Sequence, residues 1–328
     1  MRKQRILLCL VACALLLSGC APISSPIVET TPIPRVHSVL PSADEGQGRA
    51  AQSEATLYFR FQSEPYLAAE ARAIRQLPSQ SYEMALLTEL LSGPSTASPE
   101  LTGLFPTDTR VLATQRAGRT LFVTLSAEIL NNYPNEPVDW QEHEDWLRES
   151  PLRRRLCMQS IVATVTENCD VDQVQIQVQV SGVANSPRLA QSFFLDGSED
   201  NVIAPPLTRD DSLLLTPGVL LDTVLTCWQQ RNWSQLYLYI SLRDSASGSE
   251  RPSLRDFVSQ MEGLAPVVGF SRGEISVSSG GTLAVCAVNF TVLRGMETHT
   301  LSRRILHLER EGSLWKIGLS QLTGWLEE

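Results

Sequence analysis

The chain has 328 residues, 43% of them hydrophobic and 19% charged, enough apolar matter for two ordinary cores and too much for a disordered chain. Its formal charge is −9, from 27 basic and 36 acidic residues, and Arg2, Lys3 and Arg5 would leave with an N-terminal leader, making the remainder more acidic still. That balance disfavours nucleic acid or an anionic lipid surface as a partner, and with Lys3 and Lys316 the only lysines, lysine-based covalent chemistry has one candidate.

Arg2, Lys3 and Arg5 precede an apolar run over residues 6–17, the charged and apolar regions of a secretory signal and too short to span a bilayer. The run ends Leu17-Ser18-Gly19-Cys20, which resembles the lipobox of bacterial lipoproteins. The resemblance implies that residues 1–19 are a signal peptide and that the Cys20 thiol is acylated and becomes the mature N-terminus. The protein would then be anchored on the outer face of the cytoplasmic membrane. An ordinary cleaved signal is the alternative. Residues 20–55 read as a disordered tether, with Pro22, Pro26, Pro32, Pro34 and Pro41 among polar residues and no apolar period. A flexible coil of that length holds the folded part about 30 Å from the lipid.

Leu57, Phe59 and Phe61 alternate with Tyr58 and Arg60, which predicts a half-buried strand. Leu121, Val123 and Leu125 repeat the pattern, and Val174, Ile176, Val178 and Val180 alternate with glutamines. A helix is predicted from Tyr82 to Leu91, stopped by Gly93-Pro94, and another from the cap and first-turn proline Ser150-Pro151 to about Thr166. Residues 67–75 are ambiguous: their alanines favour helix, while their apolar positions alternate. Strands interleaved with helices indicate an α/β layer.

These residues, in order, resemble the GerM domain. The strand Tyr58-Phe59 is followed by the Leu67, Glu70 and Arg72 segment and by Leu90-Leu91-Ser92-Gly93-Pro94. Leu104-Phe105-Pro106 with Thr109 comes next, then Val123-Thr124-Leu125-Ser126 and a series from Gln159 to Gly182. The resemblance covers residues 56–210. It implies a mixed small sheet layered with helices, similar to ring-building motifs of secretion and sporulation channels, and an extracytoplasmic role in sporulation or germination. It also implies that the Leu67 segment is a strand. Some family members carry two such domains where this chain shows one, and the family supplies no catalytic residues to carry over.

Residues 212–328 open with Thr216-Pro217 and an apolar stripe of Leu220, Leu221, Val224, Leu225 and Trp228. A short helix groups Trp233, Leu236, Tyr237 and Ile240, and Ser253 with Asp256 caps a third whose inner face is Leu254, Phe257, Val258 and Met261. Everything after Gly269 reads as strands, among them Cys286, Val288, Phe290 and Val292, then Leu306 and Leu308, and a hairpin at Glu311-Gly312 returning to Ile317. Helices followed by strands indicate α+β. The order, with its terminal Trp315-Lys316-Ile317, resembles a nuclear transport factor 2-like domain, which implies a cone-shaped α+β fold holding a ligand, an enzyme site or a filled core.

Candidate chemistry is sparse. Gly269-Phe270-Ser271-Arg272-Gly273 satisfies the GxSxG pattern, but strand residues follow where a nucleophile elbow needs a helix. Ser313 and Lys316 imitate SxxK on a predicted strand, which we read as coincidence. Glu142, His143, Glu144 and Asp145 lack a second histidine at metal-ligand spacing and read as a solvated loop. Arg153, Arg154 and Arg155 read as the exposed turn of a helix. Asp222, Asp256 and His299 are the acid or base candidates for the cone, with helix surface, cap and strand face as their ordinary roles. Of the cysteines outside the leader and lipobox, Cys157 and Cys169 lie about 18 Å apart if helical, beyond disulfide reach. Cys227 and Cys286 could pair, with buried free thiols the favoured reading.

The chain therefore reads as a non-catalytic, membrane-anchored extracytoplasmic lipoprotein needing no cofactor or metal. It would bind envelope or sporulation membrane proteins through a sheet edge or helix layer. The membrane is reached through the lipid on Cys20, nucleic acid is excluded, and the ring-building resemblance allows an oligomer. A sensor holding a small ligand in the second domain's cone is the alternative, and an isomerase or dehydratase there the third reading.

Overall fold

The computed structural model describes residues 51–180, 182, 186–195 and 202–324. The expected signal peptide, Cys20 and nearly all of the tether lie outside the described residues.

The alternation of Leu57, Phe59 and Phe61 builds β1 (Ala51–Phe61), which pairs antiparallel with β2 (Leu67–Gln76) along ten residues and with the two-residue β3 (Leu101–Thr102). The Leu67 segment is thus a strand: pairing with β1 and burial of Leu67, Ala68 and Ile74 outweigh alanine's helical preference. The expectation of a half-buried β1 is corrected. Tyr58 and Arg60 on the supposed wet face are only 8% and 3% exposed, because a helix lies over them.

A second sheet has the order β4-β5-β6-β7, from β4 (Val111–Ala117), β5 (Thr120–Ser126), β6 (Gln173–Gln179) and β7 (Leu207–Thr208). Only β5 and β6 run parallel, and a parallel pair needs a crossover. The crossover is α2 (Glu144–Asn168), preceded in the chain by α1 (Tyr82–Leu91). Helix α1 has the predicted bounds; Ser81 Oγ accepts from Met84 N–H and Gly93 follows at φ +88°, the left-handed conformation that glycine adopts without strain. Helix α2 corrects the expected start. His143 is its N-cap and Pro151 lies inside it, so Ser150 is a buried helical residue rather than a cap.

The C-terminal part opens with α3 (Pro217–Gln229), α4 (Trp233–Tyr237) and α5 (Leu254–Glu262), each capped by the residue before it, Thr216, Asn232 and Ser253. Leu254 is 41% exposed, so the inner face of α5 is Phe257 and Met261. An antiparallel meander follows, β8 (Val267–Val277), β9 (Leu283–Arg294), β10 (Glu297–Glu311) and β11 (Leu314–Ile317), in the order β11-β10-β9-β8. The chain then adds α6 (Leu319–Thr323), a short helix where only strands were expected. The inner face of this sheet is filled: Trp228 and Phe290 meet at 5.9 Å between ring centres, and Trp233 and Trp315 are buried too.

All described residues belong to one contact-dense unit, Ser38–Glu328, and their buried side chains form one continuous core. The architecture is mixed α/β with small sheets, an antiparallel α+β part packed directly on it.

Candidate docking surface

The pieces of the GerM-like motif are bonded to one another. Arg72 on β2 donates from Nε to Glu70 Oε1 at 2.8 Å, and from Nη1 to Glu89 Oε1 at 3.1 Å and to the Gly93 carbonyl at 3.0 Å. Glu70 Oε2 accepts from Ser95 N–H at 3.1 Å. The Glu-x-Arg pair therefore ties β2 to the C-terminal end of α1, where free helix carbonyls favour a cation. This role is structural.

A second polar cluster joins the two parts of the chain. Glu64 Oε2, just after β1, accepts from Tyr239 Oη at 2.8 Å and Gln235 Nε2 at 2.6 Å. Lys316, 1% exposed on β11, donates to Glu100 Oε1 and to the Leu238 carbonyl, both at 2.7 Å, with its ammonium 5.0 Å from the Phe61 ring centre. Burial lowers the Lys316 pKa, and the Glu100 carboxylate opposes that shift. A charge so enclosed persists because a carboxylate and a carbonyl accept from it and an aromatic face lies beside it.

Sheet edges decide where another protein can add a strand. The outer edge of β2 is met at two points by the chain's own C-terminal part: Leu215 N–H donates to the Leu67 carbonyl at 2.7 Å, and Ala71 N–H to Ser313 Oγ at 3.2 Å. The far edge of β1 is covered by α2, whose Ser160, Thr164 and Asn168, spaced at i, i+4 and i+8, bond the Tyr58 and Thr56 backbone in place of a strand. β6 is paired by β7 and by a bridge to Arg188. β8 carries two register shifts, which break up a template edge.

β4 is different. Among the described residues no strand pairs with its outer side. It joins β5 through the two-residue turn Gly118-Arg119, so Ala117 and Thr120 form a hydrogen-bonded pair, and the backbone of Thr114 and Arg116 faces outward. Ala113, Gln115, Arg116 and Ala117 are exposed, and Leu112 at the bulge is 40% exposed. The hairpin is held by ion pairs of Arg116 with Asp170 and of Arg119 with Asp170 and Asp172. Sequence reasoning missed β4, because a strand wet on both faces has no alternation; the Ala-Gly-Arg turn before an apolar strand was the available signal.

The residues singled out from sequence fall in different places. Ser271 lies within β8, its hydroxyl taking a 3.2 Å bond from Asn289 Nδ2. Ser313 and Lys316 are separate parts of the junction. His143 caps α2 and pairs with Asp139 at 3.2 Å, and among the described residues no cluster of three or more potential metal ligands occurs. The arginine triplet is corrected: Arg154 is buried, donating to Glu136 Oε1 at 2.9 Å with its guanidinium 4.9 Å from the Trp140 ring centre. Asp222 chelates Arg272 at 2.5 and 2.6 Å, Asp256 accepts from Ser253, and His299 is exposed on β10. Cys157, Cys169, Cys227 and Cys286 are free, and burial pushes the thiol of Cys169 up to about 12 and that of Cys227 up to about 11. No described helix is long and apolar enough to cross a membrane.

Residues 56–179 match the Germane family, described as sporulation and spore germination, which is less than half of the chain. No curated protein matches. Among solved structures, the tandem GerMN domains of the sporulation protein GerM from Bacillus subtilis align at TM-score 0.31 and 19% identity, over 50% of this chain and 47% of that one. The chain thus spans about half the length of that relative. The first GerMN domain alone gives TM-score 0.27 and 20% identity, covering 48% and 95%. A Clostridium perfringens structure named as a candidate lipoprotein gives 0.27 and 20%, covering 49% and 90%. The segment from β1 to β6 is GerM-like, similar to a family described as sporulation and spore germination.

Proposed function

We propose that this protein is a non-catalytic lipoprotein of the sporulating cell envelope, acylated at Cys20, which docks a partner protein by strand addition to β4. What carries the reading is the open edge of β4 in a GerM-like segment whose β2 edge is met by the chain itself at Leu67 and Ala71 and whose β1 edge is covered by α2. An extended segment of a partner would bond to the outward backbone of Thr114 and Arg116, while Leu112 offers an apolar contact. The anchor would hold that edge outside the membrane, where two acyl chains give stable attachment.

Thr114→Pro tests this. It removes an outward N–H and leaves the bonds to β5 in place, and Thr114→Val controls for the 3.0 Å contact of Thr114 Oγ1 with Ser81. Crosslinked pull-down of the full lipidated chain from membranes of sporulating cells is expected to recover a partner with the valine variant and lose it with proline. Equal recovery with both would sink β4 as the docking edge. A Cys20→Ala chain that remains membrane-bound would sink the anchor.

A further inference from the structure

The open edge of β4 has a local symmetry. Ala113, Gln115 and Ala117 turn their backbone groups toward β5. Between the bulge at Leu112 and the turn at Gly118, the outward N–H and carbonyl groups are therefore those of Thr114 and Arg116, which flank Gln115. An antiparallel strand centred on Gln115 must offer its own outward groups at the same spacing, and a second β4 does so. Thr114 of one copy then faces Arg116 of the other, twice over, giving four backbone hydrogen bonds about a two-fold axis.

The side chains fit the same register. Gln115 is exposed, and its amide makes no bond among the described residues. An amide is donor and acceptor at once, so it can bond to its own copy across the axis. Ala113 falls opposite Ala117, both exposed and too small to hold the strands apart. The single charge on the strand is Arg116, and it is already bound within its own chain. Its Nε donates to the Gly118 carbonyl at 3.1 Å, and its Nη2 pairs with Asp170 Oδ2 at 3.3 Å. Each Arg116 would lie across from a threonine, so no like charges are opposed. The strand carries no proline or lysine of the kind that guards an edge, and Leu112, 40% exposed, adds apolar surface at each end.

We infer that the strand docking on β4 is the β4 of a second copy of this chain, in a two-fold pair that continues one sheet into the other. The inference rests on strand addition at β4, proposed above, and names its occupant. Each copy covers the open edge of the other, so the pair is closed and grows no further through this edge.

Oxidative crosslinking of the full chain in sporulating cells, with copper phenanthroline as oxidant, tests partner and register together. Across this axis the two Gln115 Cα atoms lie about 4.5 Å apart, within disulfide reach. The two Ala113 positions are offset by about 14 Å along the strands. Gln115→Cys is expected to run as a dimer on a non-reducing gel, against an unsubstituted chain as baseline. Ala113→Cys alone is expected to stay monomeric, and to form the dimer when co-expressed with Ala117→Cys. Gln115→Glu sets two carboxylates against each other at an exposed position. It should weaken self-association about fivefold in sedimentation of the detergent-solubilised chain, with the melting temperature unchanged. A dimer formed as readily by Ala113→Cys alone as by Gln115→Cys would mean random collision and overturn the pairing. No dimer from Gln115→Cys also overturns it. In that case, loss of a recovered protein with Thr114→Pro leaves strand addition standing with another protein as occupant, and no such loss sinks both readings.

Discussion

Tyr58 shows how a position that alternation assigns to solvent becomes a titration probe of the fold. Its hydroxyl lies 3.4 Å from Glu167 Oε2 and 3.2 Å from Arg209 Nη2; burial, reinforced by Glu167 and opposed by Arg209, pushes its pKa up to about 12. Burial raises Tyr133 and Tyr239 as well, with Cys157 next to the one and Glu64 bonded to the other. For an acid whose folded pKa is raised, the stability is fully present below the unfolded pKa of about 10 and is lost as pH climbs from there. Alkaline titration should therefore show three of the six tyrosines ionising only together with unfolding, in a window from about pH 10 towards 12. Tyrosinate absorbance followed beside circular dichroism checks this; complete ionisation near pH 10 with the fold intact would contradict it. Lys316 acts in the opposite sense, because its lowered pKa makes the cost of burying its charge disappear as pH rises. Nothing in the sequence distinguished this lysine as an enclosed ion. Its partner Glu100 lies 216 positions away in the chain, in a loop with no pattern of its own.

At the scale of elements, α2 explains why its apolar spacing looked untidy. A helix that packs by hydrophobic contact alone shows a clean stripe, but one face of α2 presents the polar row Ser160, Thr164 and Asn168 to an unpaired strand edge. Thr164 Oγ1 accepts from Tyr58 N–H at 3.1 Å, and Asn168 bonds both the N–H and the carbonyl of Thr56, at 2.9 and 2.7 Å. Thr164→Val keeps shape and volume and leaves a buried N–H unpaired, so it should destabilise by about 1–2 kcal/mol in urea unfolding, with an unchanged denaturant slope. A loss no larger than that of an exposed threonine substitution would show that the helix covers β1 without bonding it. The early start of α2 was hidden for a related reason. Ser150-Pro151 has the composition of a helix start, and only the structure shows that the helix is already under way from Glu144.

At the scale of the molecule, the GerM-like segment is completed by the C-terminal part. Removing residues 211–328 would take away Leu215 and Ser313 from the β2 edge, Tyr239 and Gln235 from Glu64, and Lys316 from Glu100. It would also bare Phe61, which meets Tyr239 at 5.5 Å between ring centres. An exposed strand edge beside a newly bared apolar face is a template for self-association. A fragment ending at residue 210 is therefore expected to run as oligomers or aggregate in size-exclusion chromatography with light scattering. A monodisperse, folded monomer would show that the two parts are stable apart.

The sequence by itself determined what is local. The bounds of α1, the caps of α3 and α5, the alternating strands β5, β6 and β9, and the glycine-marked turns follow from periodicity and backbone conformation within a few residues. The ordered GerM-like residues extended that reach to the ambiguous β2, where propensity pointed the wrong way. Only the tertiary structure decided which edges are open, which charges are enclosed and whether the C-terminal sheet holds a cavity. Each depends on residues far apart in the chain: β4 is open because no other strand pairs with its outer side, β2 is met by Leu215 and Ser313 at Leu67 and Ala71, and the inner face of the C-terminal sheet is filled where Trp228 meets Phe290. Periodicity records which face of an element is apolar. It carries no record of what that face, or the edge beside it, will meet.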